Sequence, residues 1–176
     1  MVIPSASNKQ ETSPFGLTYL SRFLLVLIIL QGFVYFAHTT PAIFQLIQHT
    51  ITNTVAYIYQ VIAEPVIVDK NTLRHTPAGQ YLIVNNECTG LMLVATVFSA
   101  IIACQHSWLA KLKMLAMAIL LLQCENIFRI THLLYEIKKE NNNFEFYHLY
   151  IWQALNFIAA IIVIISVERI FGDNKQ

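Results

Sequence analysis

Long apolar runs, separated by short polar segments, constrain the fold of this chain more than any other feature. A helix needs about 20 mostly apolar residues to cross a bilayer, and four runs come close to that length: 17–37, 88–104, 109–128 and 148–167. Hydrophobic residues make up 56% of the 176 residues and charged residues only 12%, which is unusual for a soluble domain. We therefore predict an all-α integral membrane protein with four transmembrane helices.

Between the first two runs, the pattern changes twice. Residues 41–63 mix amide and hydroxyl side chains with apolar residues at helical spacing, which favours an amphipathic helix lying in the membrane interface. A fifth transmembrane helix is the alternative. Two β-prone runs follow, at 66–68 and 81–84, with turn-prone residues between them. They predict a small β-hairpin outside the bilayer core, because lipid tolerates no exposed sheet edge.

Charge and cysteine count exclude several function classes. The formal net charge of +1 argues against nucleic-acid binding, which needs a basic surface. The three cysteines form no CxxC pair, so we expect neither a disulfide scaffold nor a structural zinc site. Four of the six histidines, His38, His49, His75 and His106, are scattered, and we expect no metal and no cofactor.

Three kinds of polar residue are expected at one membrane face. Cys88 opens the second run, Asn126 and Arg129 close the third, and His148 opens the fourth. Because successive spans alternate in direction, these three ends share a side of the membrane. Asn126 and Arg129 are three residues apart and project from one face of their helix.

Taken singly, each of these residues has a structural explanation. A cysteine at a helix start packs, an arginine near a span's end snorkels, and a histidine among aromatic residues joins an interfacial belt. Taken together, Cys88, Arg129 and His148 suit acyl transfer. A helix N-terminus favours the thiolate, an imidazole moves the proton, and a guanidinium stabilises an oxyanion, which is worth about 3 kcal/mol or more for one good donor.

The neighbouring polar residues have supporting or competing roles. Glu87 could orient His148 or simply be solvated, and Asn126 either fixes Arg129 or donates to the oxyanion. Glu125 could pair with Arg129, and His132 is a rival base that we rank below His148. The remaining thiols, Cys104 and Cys124, are expected to be packing or inert residues.

The motifs resemble those of one known family. "NNECTG" (85–90) precedes an apolar helix, "NIFR" (126–129) closes the next, and a histidine opens the last. This order resembles the exosortase and archaeosortase family of integral-membrane cysteine transpeptidases, whose acid-Cys-(Ser or Thr)-Gly motif corresponds to Glu87, Cys88, Thr89 and Gly90. The resemblance covers roughly residue 62 to the end of the fourth run. The chain is shorter than the large members and looks more like the compact exosortases, for example the exosortase H type.

The resemblance implies a set of roles and partners. Cys88 would be the nucleophile, His148 the general acid and base, and Arg129 a partner of the transition state or of the substrate carboxyl. Substrates would be exported proteins that end in a short motif, an apolar helix and a basic tail; the acceptor of the acyl group is left open. The active site would lie on the extracytoplasmic face of the plasma (inner) membrane, a topology that the lysine and arginine distribution favours only weakly.

We therefore expect one exosortase-like membrane domain over 1–176. Its parts would be a cytoplasmic tail (1–16), a retained first span, an extracytoplasmic amphipathic helix and hairpin (38–87), a catalytic transmembrane core (88–167) and a second cytoplasmic tail (168–176). Two other functions stay open. One is a non-enzymatic membrane subunit. The other is a thiol-disulfide oxidoreductase, which would need Cys88 and Cys124 as its pair.

Overall fold

The computed structural model describes residues 17–76, 79–139 and 143–171. The predicted tail 1–16 and most of the tail 168–176 lie outside the described residues. In chain order the helices and strands are α1 (Leu17–His38), α2 (Pro41–Ile62), β1 (Ile67–Asp69), β2 (Thr72–Arg74), β3 (Tyr81–Ile83), a 3₁₀ turn (Asn86–Thr89), α3 (Leu91–Ala103), α4 (Trp108–Ile137), α5 (Phe144–Phe146), a π-helical turn (Tyr147–Ile151) and α6 (Trp152–Phe171). The last three form one continuous helical segment, Phe144–Phe171.

Three described segments are long and apolar enough to cross a membrane: Leu17–Ala37, Trp108–Ile137 and Phe144–Phe171. Helix α3, predicted as the second span, has only 13 residues and is about 20 Å long, against a bilayer core of about 30 Å. It is shorter than expected because Gly90 adopts a left-handed conformation with φ 70°, which separates residues 88–90 from the helix. The structure thus supports a multi-pass helical membrane protein, but not the predicted four or five spans.

Helix α1 lies antiparallel to α3. Near its end, the amide nitrogen of Gln31 donates to the carbonyl oxygen of Met92 at 3.1 Å and to the hydroxyl of Thr96 at 3.0 Å. Near its start, the hydroxyl of Tyr19 lies 3.5 Å from the carbonyl oxygen of Ala100. These polar contacts join two otherwise apolar helices, where lipid offers no competing hydrogen bonds.

Two apolar clusters divide the core, and α4 belongs to both. The bundle cluster joins α3, α4 and α6 through Val97, Ile101, Met114, Ala118, Leu122, Ala160, Val163 and Val167. The sheet cluster joins α2, the strands, α4 and α6 through Ile51, Val55, Ala56, Tyr59, Leu73, Leu82, Val84, Ile130, Leu133, Leu134 and Trp152. The 30 residues of α4 extend about 45 Å, longer than a bilayer core, so one helix can serve both clusters.

The small sheet has three antiparallel strands in the order β1-β2-β3. Both β-prone runs of the sequence become strands, but they do not pair with each other as a hairpin. Instead β2 lies between them, with Leu73 opposite Val68 on one side and Leu82 on the other. The predicted hairpin is therefore wrong in its pairing, because the turn-prone segment itself contains the central strand.

Helix α2 is amphipathic, and it packs its buried face on the sheet cluster through Ile51, Val55 and Tyr59. Just beyond its end, the Glu64 carboxylate lies 2.8 Å from the ammonium of Lys138 and 3.0 Å from the imidazole of His75. The hydrogen bond from Lys138 lowers the pKa of Glu64 below its usual value. These ion pairs fasten the end of α2 to the end of α4. That α2 lies in the membrane interface stays a prediction.

Candidate active site

Cys88 lies on the 3₁₀ turn between β3 and α3. The side-chain oxygen of Asn85 caps this turn and accepts from the backbone N–H of Cys88 at 3.0 Å. The thiol is therefore placed just before the helix rather than on its first turn. Because the backbone N–H of Cys88 is already used in the cap, it is not a free donor for an oxyanion.

Gly90 allows the turn to enter α3. Its φ of 70° is a conformation that residues with a side chain rarely adopt. A Cβ at this position would also lie 3.3 Å from the side-chain carbon Cγ of Asn126. The glycine thus brings the cysteine turn close against α4.

Two amides of α4 hold the backbone of this turn. The amide nitrogen of Asn126, which is 3% exposed, donates to the carbonyl oxygen of Cys88 at 2.9 Å. One helical turn earlier, Gln123 donates to the carbonyl oxygen of Thr89 at 3.3 Å. Asn126 therefore positions the cysteine backbone directly, a contact that differs from both roles expected from the sequence. Sequence reasoning missed Gln123, although its spacing of three residues from Asn126 was a usable signal.

Thr89 and Asn86 complete the turn. The buried hydroxyl of Thr89 donates to the carbonyl oxygen of Asn86 at 2.6 Å. The side-chain oxygen of Asn86 accepts from the amide of Gln48 on α2 at 2.7 Å. Thr89 is therefore a structural residue of the turn, and Gln48 is a further contact that the sequence did not predict.

Arg129 lies three residues beyond Asn126 on α4 and is partly buried. With the Asn156 amide in the orientation that satisfies its neighbours, its oxygen accepts from Arg129 Nη1 at 2.9 Å and its nitrogen donates to Glu125 Oε1 at 2.8 Å. Asn156 thus bridges the guanidinium and the carboxylate, and it was not singled out in the sequence. The Nε atom of Arg129 is buried and has no hydrogen-bond partner among the described residues.

His148 lies on the π-helical turn at the start of the last helical segment. Its ring stacks on Phe144, with centroids 5.5 Å apart and planes 15° from parallel. Phe144 and Tyr147, which flank this histidine, pack against the sheet cluster, as Cys88 does. The cysteine turn and the start of the last helical segment therefore border the same cluster, to which α4 contributes Ile130. Within the described ranges, no hydrogen bond joins the Cys88 thiol to His148.

His132, the rival base, is held by other residues. Its Nδ1 accepts from the indole N–H of Trp152 at 3.3 Å, and its Nε2 lies 3.7 Å from the Glu136 carboxylate. The ring also makes edge contacts with Tyr147 and Trp152. Each ring nitrogen of His132 therefore has a structural partner.

A comparison with protein families decides the assignment. The family model for transmembrane exosortases (Exosortase_EpsH) matches residues 13–166. The chain belongs to this family. No curated protein and no solved structure matches the chain. Membership confirms the family resemblance expected from the sequence, and it makes the chain a multi-pass membrane protein of a family of sorting-signal transpeptidases.

The other two thiols of this exosortase lie elsewhere. Cys104 caps the end of α3 and donates to the carbonyl oxygen of Ala100 at 3.3 Å. Its sulfur lies within 4.8 Å of ligand atoms of His106 and Glu168, which are themselves hydrogen bonded at 2.7 Å. This juxtaposition, which links the α3–α4 loop to α6, was not predicted. Cys124 is exposed on α4.

Proposed function

We propose that this exosortase is a membrane cysteine transpeptidase that cleaves the C-terminal sorting signal of exported proteins through a thioester on Cys88. In this proposal His148 is the general acid and base, and Arg129 stabilises the intermediate or binds the substrate. Glu87, Thr89 and Asn126 support them. The substrates carry a short motif, an apolar helix and a basic tail.

One observation carries the proposal. The three elements that bear Cys88, Arg129 and His148 all border the sheet cluster, through Cys88, Ile127 and Tyr147. Asn126 holds the Cys88 carbonyl and lies three residues from Arg129 on α4. Packing and snorkelling would explain each residue alone, but not their convergence in a member of a cysteine transpeptidase family.

The proposed reaction has two halves. The Cys88 sulfur attacks the carbonyl carbon of the scissile peptide bond, and its proton passes to His148. The oxyanion that forms is stabilised by Arg129, whose buried Nε lacks a partner among the described residues and could bond a substrate oxygen. The C–N bond then breaks, and His148 protonates the leaving amine, which stays with the apolar tail.

The second half regenerates the thiol. An acceptor amine, hydroxyl or water gives a proton to His148 and attacks the thioester carbon. The C–S bond then breaks, and His148 returns the proton to the Cys88 sulfur. The thiol and the imidazole need not be hydrogen bonded before substrate binds, since catalytic contacts often tighten only in the complex. Glu125 is bridged to Arg129 through Asn156, and this would keep the guanidinium in place during both halves.

A trapping experiment tests this function. The probe is an exported reporter protein fused to a motif, apolar helix and basic tail found at the end of a protein from the same genome. With Cys104 and Cys124 replaced by Ser, we expect cleavage and a thioester that hydroxylamine releases. Cys88→Ser should abolish both. Cleavage that persists without Cys88 would overturn the proposal.

The same variants test the two alternatives. A thiol-disulfide oxidoreductase would lose its function with Cys124→Ser, whereas the transpeptidase would not. All three cysteines are free thiols in the structure, and Cys124 is exposed on α4. A non-enzymatic subunit would tolerate Cys88→Ser.

The extracytoplasmic face of the plasma membrane is also part of the proposal. A membrane-impermeant maleimide added to intact cells should label Cys88 in the Cys104→Ser, Cys124→Ser background. Labelling only after the cells are opened would place the thiol on the other face and would exclude exported proteins as substrates.

A further inference from the structure

The edge of the small sheet carries unpaired backbone groups. The backbone N–H of Val84 donates to the carbonyl oxygen of Asn71 at 2.8 Å. Hydrogen-bonded and non-hydrogen-bonded pairs alternate along an antiparallel ladder, so the next hydrogen-bonded pair of β2 and β3 is Leu73 with Leu82. The N–H and C=O groups of Tyr81 and Ile83 therefore point away from β2. Within the described residues, no other group pairs with them.

An open groove of about 580 Å³ runs beside this edge. Five consecutive residues, 79–83, form one wall, and the apolar side chains of Ile137 and Phe144 line the other. A groove that follows consecutive residues of a strand presents alternating backbone donors and acceptors. Another extended polypeptide can hydrogen bond to all of these groups, because its own N–H and C=O groups alternate with the same period.

Each side of the groove is linked to a residue of the candidate active site. On the strand side, the chain runs from Ile83 to Cys88 in five residues, a span of at most about 18 Å. On the other side, the ring of Phe144 stacks on His148 at 5.5 Å. A strand added to β3 would therefore be led towards the thiol and the imidazole.

We propose that β3 is the substrate-binding edge of this exosortase: an extended segment of the substrate, next to its scissile bond, adds to the sheet as a fourth strand. This inference rests on the proposed function and names its substrate subsite. Main-chain pairing with Tyr81 and Ile83 supplies affinity for any extended sequence, and the apolar wall of Ile137 and Phe144 supplies the preference for apolar side chains.

Proline variants test the edge without breaking the sheet. Ile83→Pro removes an outward N–H and leaves the Leu82–Leu73 bonds intact. The matched control is Val68→Pro on β1, where the ladder bonds lie at Ile67 and Asp69 and the N–H of Val68 also points outward. With the reporter described above, Ile83→Pro should raise the KM on the order of tenfold with little change in kcat, while Val68→Pro should match the unsubstituted protein. Equal KM values for the two variants would overturn the inference and leave the proposed function standing.

Amide exchange gives a readout that does not depend on turnover. In the Cys88→Ala variant, saturating reporter should slow hydrogen exchange at Tyr81 and Ile83 and leave Val68 unchanged. If exchange at Tyr81 and Ile83 stays fast with the reporter bound, the edge is not the subsite. If the amides are protected but the intact enzyme does not cleave the reporter, the subsite holds and the proposed function fails.

Discussion

The side-chain nitrogen of Asn126 lies 2.9 Å from the carbonyl oxygen of Cys88. Asn126 is 3% exposed, so water competes little for its amide. The bond joins the cysteine turn to the helix that carries Arg129. Together with the bond from Gln123 to Thr89, it fixes where the nucleophile lies relative to that helix.

Asn126→Ala should loosen the turn. The carbonyl oxygen of Cys88 would lose its partner, at a cost of about 1–3 kcal/mol, and cleavage should fall by at least about tenfold because a displaced nucleophile is poorly aligned. Thermal unfolding in detergent and reporter cleavage measure the two effects. Thr131→Ala is the matched control, since its hydroxyl bonds only to the Ile127 carbonyl of its own helix. Equal cleavage by both variants would contradict the positioning role.

Gly90→Ala should destabilise the protein by about 1–2 kcal/mol, because an alanine pays the cost of a left-handed conformation. The added methyl group would also press on Asn126, at 3.3 Å. Gly32→Ala is the control: no atom lies within 4 Å of a Cβ there, and α1 is helical at this position. The apparent unfolding temperature should fall only for the Gly90 variant. An equal fall for the Gly32 variant would show that neither the left-handed φ nor the contact with Asn126 is the cause.

His148→Ala and His132→Ala should separate catalysis from structure. Loss of the general acid and base at His148 should reduce kcat by about 10²- to 10⁴-fold with little change in unfolding temperature. Loss of His132 should lower stability, because the buried indole N–H of Trp152 loses its acceptor, while the folded fraction keeps cleaving. The opposite result would make His132 the base.

Glu64→Gln should lower stability in a pH-dependent way. The pKa of Glu64 is lowered in the folded state by Lys138, so its ion pairs stabilise the protein above the usual glutamate pKa and are lost as pH falls through the lowered value. The unfolding temperatures of the two proteins should therefore differ at pH 7, and the difference should shrink as the pH falls through the lowered pKa of Glu64. A difference that does not shrink as the solution is acidified would mean that packing, not charge, carries the effect.

The sequence predicts which elements of the candidate site come together, but it does not predict the contacts of their side chains. The alternating apolar runs predict that the elements bearing Cys88, Arg129 and His148 share one face. The sequence placed residues 88–90 at the start of the second run, whereas the left-handed Gly90 makes them part of a turn and shortens α3. Gln48 and Asn156 act through partners 38 and 27 residues away, and no local pattern announces such pairs. The central strand Thr72–Arg74 was missed because three residues are too few to show a period.

The position of the polar residues of α4 between the two apolar clusters has a consequence for how the protein matures. Cys88 packs against the sheet cluster, whereas Asn156 lies on α6 between Trp152 of the sheet cluster and Ala160 of the bundle cluster. A chain in which only one of the two clusters has formed has an incomplete reaction centre. A newly made molecule therefore brings its thiol, guanidinium and imidazole together only when both the bundle cluster and the sheet cluster have formed. Catalytic activity would then be a sign of complete folding.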